Sequence, residues 1–375
     1  MKRRSFLKTT AAGGAIAASA TGTAVAQAPA APAVSTGRLE WRMVTSWPKG
    51  LPGVGTGAEK LAQNITQMSG GRLTVRVFAA GELVPALQCF DAVSNGTAEM
   101  GHDASYYHLS KSEGQAFFTA FPFGLSAGEL TGWVHHGGGQ ALWDEMNAPF
   151  NVKAFLAGNT GCQMLGWFRR EINTVDDLKG LKFRTPGNQA KILTRLGASV
   201  VQLPGGEIFP ALQSGAIDGA EWIGPLNDLA LGFHQVAKFY YSPGYHEPGA
   251  GLQLMVNKQR YDALPADLKA IVAVAAQAAH DDMYAEYTAK SGAALQTLVQ
   301  QHGVQLRTLP RDVLVACGQQ ANNILVELMD GRDEVTKKII SGYLAYRNAV
   351  IPWTRVAEQA YFTSRLLPFP HGRRA

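Results

Sequence analysis

The sequence is short of cysteine. Cys89, Cys162 and Cys317 are its only thiols. They stand far apart, their number is odd, and no two have C-x-x-C spacing. That argues against a disulfide framework and for buried thiols. Long hydrophobic runs are also missing. Beyond the N-terminus the longest, AIVAVAAQAAH (270–280), is about half of the roughly 20 residues a membrane helix needs. There is no dense basic patch, so nucleic acid is not an expected partner. The pI of about 9.0 misleads, because Lys2, Arg3, Arg4 and Lys8 carry most of the net charge of +5. There is no H-E-x-x-H and no visible haem or cluster ligand set.

What is present begins with that charged start. KRRSFLKTTAAGGAIAASATGTAVAQA joins a basic head to an Ala/Gly-rich, weakly apolar run, and Ala24-Val25-Ala26 suits a small-residue cleavage site. Arg3-Arg4-Ser5-Phe6-Leu7-Lys8 resembles a Tat export signal, although Lys2 precedes the arginines where that motif has Ser or Thr, so Sec export stays open. Residues 1–26 are read as a signal peptide and 27–37 as an Ala/Pro-rich flexible leader. The mature protein is expected to be soluble and exported.

Downstream, strands and helices alternate in the α/β pattern. LEWRMVTSW, LTVRVFA, EMGHDASYY, LKFRTP, SVVQLP and AIDGAEW read as strands, and LVPALQCFDAVSNG, 127–147, 188–197 and 205–214 as helices. VKAFLAGNTGCQMLGWF reads as a strand pair crossing between domains. Shifted by 119 residues, the stretch Pro85–Glu99 overlies Pro204–Asp218, with Pro, Phe, Ala and Gly coinciding. The shared unit is a helix opened by proline, closed by a left-handed glycine and followed by a strand. Two such lobes would place His102 and Asp103 opposite Glu221 and Trp222, beyond the carboxyl ends of strands, where open α/β sheets bind ligands.

In the second lobe Arg184 ends a strand just before the turn Pro186-Gly187-Asn188 and a helix start. Free helix N–H groups and a planar guanidinium suit a small carboxylate; a structural ion pair is the other reading. Glu221 nearby would repel an anion unless a cation intervenes. Glu221, the Gln163 amide and the Trp222 carbonyl would offer a hard cation its oxygens; the alternative pairs Glu221 with an Arg or Lys. The Trp222 ring could wall the pocket or sit in the core.

Two motifs point elsewhere. GLSAG (124–128) fits the nucleophile elbow and His136-Gly-Gly-Gly139 the oxyanion motif of esterases, but the order is reversed and Phe121-Pro122-Phe123 interrupts the approach. Gly53-Val-Gly55-Thr-Gly57 resembles a dinucleotide loop without its spacing and is read as a flexible loop at the cleft.

The run GLKFRTPGNQAKILTRLGASVVQLPGGEIFPALQSGAIDGAEWIGPLND resembles the extracytoplasmic solute receptors of TRAP transporters, nearest the branch that binds 2-oxo acids. The likeness extends from LEWRMVTSWP through FYYSPGYHEPGAGLQLMVN to the C-terminal helices. It implies an α/β, two-lobed, type II-like periplasmic-binding-protein fold with crossing strands and long C-terminal helices. Lobe 1 would take 38–160 and part of 250–310, and lobe 2 would take 161–249 and part of the C-terminal region. Residues 311–375, helical over about 311–348, would brace both lobes and offer a dimer surface. By the same resemblance Arg184 holds the ligand carboxylate. Sodium or calcium bridges ligand and protein through Gln163, Glu221 and the Trp222 carbonyl. Glu247 is a further pocket position, and His102, Asp103 and Tyr106 face it from lobe 1. The expected function is periplasmic capture of a small monocarboxylate, pyruvate-like or lactate, for a membrane permease, without catalysis. An exported serine hydrolase on GLSAG and an ABC-type receptor or sensor domain are the rival readings.

Overall fold

A computed structural model describes residues 37–368; the segments expected to be the export signal and nearly all of the leader lie outside them. Along the chain the first elements are β1 (Leu39–Thr45), α1 (Val54–Met68), β2 (Leu73–Phe78), α2 (Cys89–Ser94), β3 (Met100–Asp103), α3 (Ala116–Thr119), α4 (Ala127–His136), α5 (Gly139–Asn147) and β4 (Val152–Asn159). Then follow β5 (Gly166–Phe168), β6 (Lys182–Arg184), α6 (Gly187–Arg195), β7 (Ser199–Val201), α7 (Gly205–Ser214), β8 (Gly219–Ala220), α8 (Pro225–Ala230) and β9 (Phe239–Ser242). The last are β10 (Gly251–Asn257), α9 (Lys258–Asp262), α10 (Ala266–Gln300), β11 (Gln305–Thr308), α11 (Arg311–Asp330), α12 (Glu334–Thr354) and α13 (Ala360–Ser364). None of these helices is long and apolar enough to cross a membrane.

The strands form two sheets, of order β2-β1-β3-β10-β4 and β11-β9-β5-β8-β6-β7. Each belongs to one lobe. In the first, β1 pairs in parallel with β2 and β3; in the second, β6 pairs in parallel with β7 and β8. Apolar side chains alternate inward on β1 and β2, whose buried residues include Trp41, Met43, Leu73 and Val75, as a half-covered sheet requires. The chain crosses between sheets at 160–165 (β4 to β5), at 243–250 (β9 to β10) and again from α10 to β11. The strand pair expected at VKAFLAGNTGCQMLGWF is the first crossing: β4 lies in one sheet and β5 in the other. The helix α10 packs on β4 and α1 of the first lobe and on α8 of the second.

The internal repeat is visible. Pro85 and Pro204 directly precede helical turns. Gly96 and Gly215 have φ of 81° and 77°, the left-handed geometry that glycine adopts at no steric cost. Each unit then runs into a strand, β3 or β8, parallel to its neighbour. The copies differ in the first helix, which is only α2 preceded by a 3₁₀ turn at Ala86–Gln88.

Several expected boundaries move. The helix over 127–147 is two, broken at Gly138, whose φ is 87°. β3 stops at Asp103 and a 3₁₀ turn, Ser105–His108, replaces the rest of the expected strand. The ladder of β8 holds only Gly219 and Ala220. The glycines 53–57 are no loop but the start of α1. A Cβ at Gly53 would lie 2.5 Å from the Tyr287 ring, and one at Gly57 2.6 Å from Met283, so their absence lets α1 and α10 approach closely. Ser126 of GLSAG is the N-cap of α4, in a capping box with Glu129, a structural use that leaves no nucleophile elbow.

Candidate functional site

The parallel strands carry their carboxyl ends toward one place. β6 ends on Arg184, and β8 leads directly into Glu221 and Trp222. Gly224 and Pro225 then start α8, so the chain turns away as soon as both side chains are delivered. Arg184 and Glu221 are 1% and 0% exposed. Arg184 Nη1 donates to Glu221 Oε1 at 2.6 Å and to the Glu221 carbonyl at 2.9 Å, and Nε donates to the Leu203 carbonyl at 2.9 Å. The guanidinium carbon lies 5.2 Å from the centroid of the Trp222 ring, within cation–π range. Gly205 makes room for that ring: a Cβ there would come within 2.6 Å of it.

The crossing segments supply the rest. Gln163 lies on the first and Glu247 on the second, and the Gln163 backbone N–H donates to the Glu247 carbonyl at 3.1 Å. Gly244 permits this contact, because a Cβ there would run into the Gln163 carbonyl. The Gln163 side chain donates to Thr160 Oγ1 at 3.0 Å, and from lobe 1 Tyr106 Oη donates to Glu247 Oε1 at 3.0 Å.

Electrostatics make the cluster strained in isolation. Burial is the largest single influence on Arg184 and opposes its charge, but Glu221, Tyr107, Tyr106 and Glu247 together hold the guanidinium above its ordinary pKa. Burial, reinforced by Glu221, drives the Glu247 carboxyl well above the carboxylate range. The Tyr106 phenol is raised for the same first reason, with Glu247 adding to it.

A concentration of buried polar atoms without partners marks this place. Arg184 Nη2, Glu221 Oε2, Glu247 Oε2, Gln163 Oε1 and Trp222 Nε1 have none among the described residues, and neither has either nitrogen of His246. Most buried polar atoms in folded proteins are paired. One free guanidinium NH2 group beside three free carboxylate and amide oxygens is a donor set for an anion next to a cation, so a bound cation fits these residues on their own chemistry.

The structure thus brings together Arg184, Gln163, Glu221, Trp222, Glu247 and Tyr106. It does not bring His102 and Asp103 with them. His102 Nδ1 accepts from Trp47 Nε1 at 2.8 Å, and its Nε2 lies 3.1 Å from the Ala157 carbonyl. Asp103 accepts from Gln253 and pairs with His108, both at 2.7 Å. These side chains are spent inside the first lobe. His102 acts at one remove: it holds Trp47, whose ring meets Trp222 edge-on at 6.1 Å between centroids. Of the two partners that the sequence left open for Glu221, the structure shows the arginine on Oε1 and leaves Oε2 without a hydrogen-bond partner.

Sequence reasoning missed Trp47 and His246. The first lies two residues beyond the end of β1 in TSWPKG, and the second stands beside Glu247 in YHEPG. Strand-end position was available as a signal for Trp47. A second titratable residue in a Gly/Pro-rich crossing was the signal for His246.

Two α/β lobes joined by crossing strands around a buried polar cleft define a bilobal solute-binding protein. A profile of the bacterial extracellular solute-binding protein family 7, DctP, matches residues 43–331, and the chain belongs to that family. It is 42% identical over 365 residues to a monocarboxylate 2-oxoacid-binding periplasmic protein of Nostoc, covering 96% of this chain and 98% of that one. A TRAP periplasmic solute-binding protein from Pseudoalteromonas atlantica, solved with sodium and pyruvate, superposes with TM-score 0.84 at 41% identity, over 87% of this chain and 99% of that one. A TRAP solute-binding protein from Bordetella bronchiseptica gives TM-score 0.86 at 37% identity, over 88% and 97%. It is a mixed-occupancy dimer, with calcium and picolinate in one active site and the other apo.

Proposed function

We propose that this protein is the periplasmic receptor of a TRAP transporter. It captures a small monocarboxylate, a 2-oxo acid such as pyruvate or else lactate, together with a sodium or calcium ion, and delivers them to the membrane permease. The observation that carries this reading is the convergence of unpartnered, fully buried polar atoms on Arg184, Glu221, Gln163 and Glu247. The relatives described above support the ligand class.

In this reading Arg184 turns its free Nη2 to the ligand carboxylate, while Glu221 fixes the guanidinium plane. Gln163 Oε1, Glu221 Oε2 and the Trp222 carbonyl hold the cation, which supplies positive charge at the ligand's oxygens. Trp222 and Trp47 wall the pocket and exclude water, and Tyr106 and Glu247 close it from the other side. The chain performs no catalysis; binding shifts the population toward closed lobes by the ligand's preference for that state.

The wider organisation follows the sequence reading. Residues 1–26 are a signal peptide of Tat type and 27–37 a leader. Lobe 1 takes 38–160 with part of 250–310. Lobe 2 takes 161–249 with part of the C-terminal region. Residues 311–375 brace the lobes, a role supported by α11 packing on α6 and α12 packing on α5. They also pair two copies as a homodimer.

The test is intrinsic tryptophan fluorescence, titrated with pyruvate, 2-oxobutyrate and lactate, with and without chelator and in sodium-free buffer. Saturable, cation-dependent quenching is expected, because Trp222 and Trp47 line the site. Quenching independent of any cation would remove the bridging ion. No response to any small carboxylate would overturn the ligand class.

A further inference from the structure

Among the described residues one group of three or more His, Cys, Asp or Glu side chains is close enough to share a metal ion. Glu221, His246 and Glu247 place their candidate ligand atoms within 4.8 Å of one another. The two carboxylates already have roles. His246 has none, although its side chain is only 1% exposed and both ring nitrogens lack a hydrogen-bond partner. Its Nε2 lies 3.6 Å from Glu221 Oε2 and 4.0 Å from Glu247 Oε1. Those separations exceed a hydrogen bond, so the imidazole is not satisfied by pairing with either carboxylate. A buried ring with two idle nitrogens is costly unless something else engages it.

Sodium and calcium take oxygen ligands, and a bridging ion held by Gln163, Glu221 and the Trp222 carbonyl needs no imidazole. Borderline first-row divalent ions do use one. Zinc binds imidazole nitrogen at about 2.0–2.1 Å and carboxylate oxygen at about 2.0–2.2 Å, which sets donors roughly 3 to 3.5 Å apart. The separations of 3.6 and 4.0 Å are wider than that by up to about 1 Å, and all three ligand atoms lie within 4.8 Å of one another, so side-chain rotations would have to draw them together around the ion.

We propose that Glu221, Glu247 and His246 Nε2 form a ligand set for a borderline divalent transition ion, with zinc as its type, and that the receptor thereby also captures small 2-substituted carboxylic acids as their transition-metal chelates. The chelate statement rests on the carboxylate reading above; the ligand triad rests on its own geometry.

The test uses metal-stripped receptor with no organic acid present. Calorimetry follows Zn2+ and, separately, Ca2+, and the visible absorption of bound Co2+ reports nitrogen ligation. His234 is replaced by alanine throughout, because its ring lies 4.0 Å from that of His302 and the pair would attract zinc at the surface. Tight one-to-one Zn2+ binding is expected. His246→Asn should weaken it by more than about 100-fold, beyond the loss of an outer-shell partner, and should alter the Co2+ spectrum. Calcium binding, carried by oxygens, should stay within about threefold, which also certifies the fold. His246→Gln is the second variant, with zinc-shifted histidine 15N resonances in the His234→Ala parent as a readout that needs no further substitution. Absent Zn2+ binding, or Zn2+ binding and Co2+ spectra indifferent to His246, would overturn the triad while leaving cation-dependent pyruvate binding intact. Loss of that pyruvate response with zinc binding retained would overturn the chelate and the proposed function, and keep the metal site.

Discussion

Arg184 is paired with the Glu221 carboxylate, and in the proposed reading it also holds that of the ligand, so its substitution tests that role. Arg184→Ala should lower pyruvate affinity by roughly 2 to 5 kcal/mol, the cost of leaving a desolvated charge unpaired, measured by fluorescence titration. Glu221→Gln keeps an oxygen but removes the charge, so cation-dependent binding should weaken while any cation-independent component persists; calorimetry with and without chelator distinguishes them. Asp228 makes a pH prediction. It is buried, accepts from Trp167 Nε1 at 2.9 Å and from Tyr240 Oη at 2.7 Å, and burial lifts its carboxyl from 3.8 to about 7. Between those values the native state keeps a proton that the unfolded chain releases, so stability falls as pH rises through about 4 to 7. Asp228→Asn should flatten that fall in thermal melts taken across the window. At this scale Arg184 and Glu221 were legible because each sits at a strand end followed by a turn. His102 and Asp103 were misplaced by the same rule. Strand-end position sets where a Cα lies, and partners such as Trp47 and Gln253, remote in sequence, decide where the side chain goes.

Among the elements, α8 does more than end a strand. Asn227 Nδ2 donates to the Pro52 carbonyl of the first lobe at 2.7 Å, and Tyr287 Oη of α10 donates to Asn227 Oδ1 at 2.5 Å. This chain of bonds fastens α8 of the second lobe to the first. Tyr287→Phe removes one hydrogen bond, about 1 kcal/mol, and should shift the apo population toward open lobes, seen as a larger radius in solution scattering. Gly205→Ala should displace Trp222, which packs against the first turn of α7, and lower affinity without unfolding the lobe; circular dichroism and titration together check this. The alternation of strand and helix was readable from apolar periodicity. The break at Gly138 had a local cue in the glycine run 137–139 that the reading of one helix passed over, whereas the two-residue ladder of β8 depends on pairing with segments distant in sequence. The glycines before α1 misled for the same reason: they are small to admit α10, which local sequence does not show.

For the whole molecule, the chain's last helical stretch is anomalous. Trp353, Val356, Tyr361, Phe362, Leu366 and Leu367 are between 47% and 81% exposed, and nothing in Arg355–Ser364 is buried. A helix with no covered face has little to stabilise it, which supports pairing with a second copy. Ending the chain at Val350 should leave a monomer by light scattering, with ligand affinity unchanged. The two-lobed architecture was legible from the repeat and the crossing strands, whereas the extent to which the cleft is shut was not. The crossings at 160–165 and 243–250 carry Gln163, His246 and Glu247, so the pocket is built into the pivot itself. A lever displaced by a fraction of an ångström at its fulcrum moves much further at its tips. The spacing of the lobe rims would therefore encode which ion accompanies the acid, and a permease touching only those rims could tell a correctly loaded receptor from one that carries acid alone.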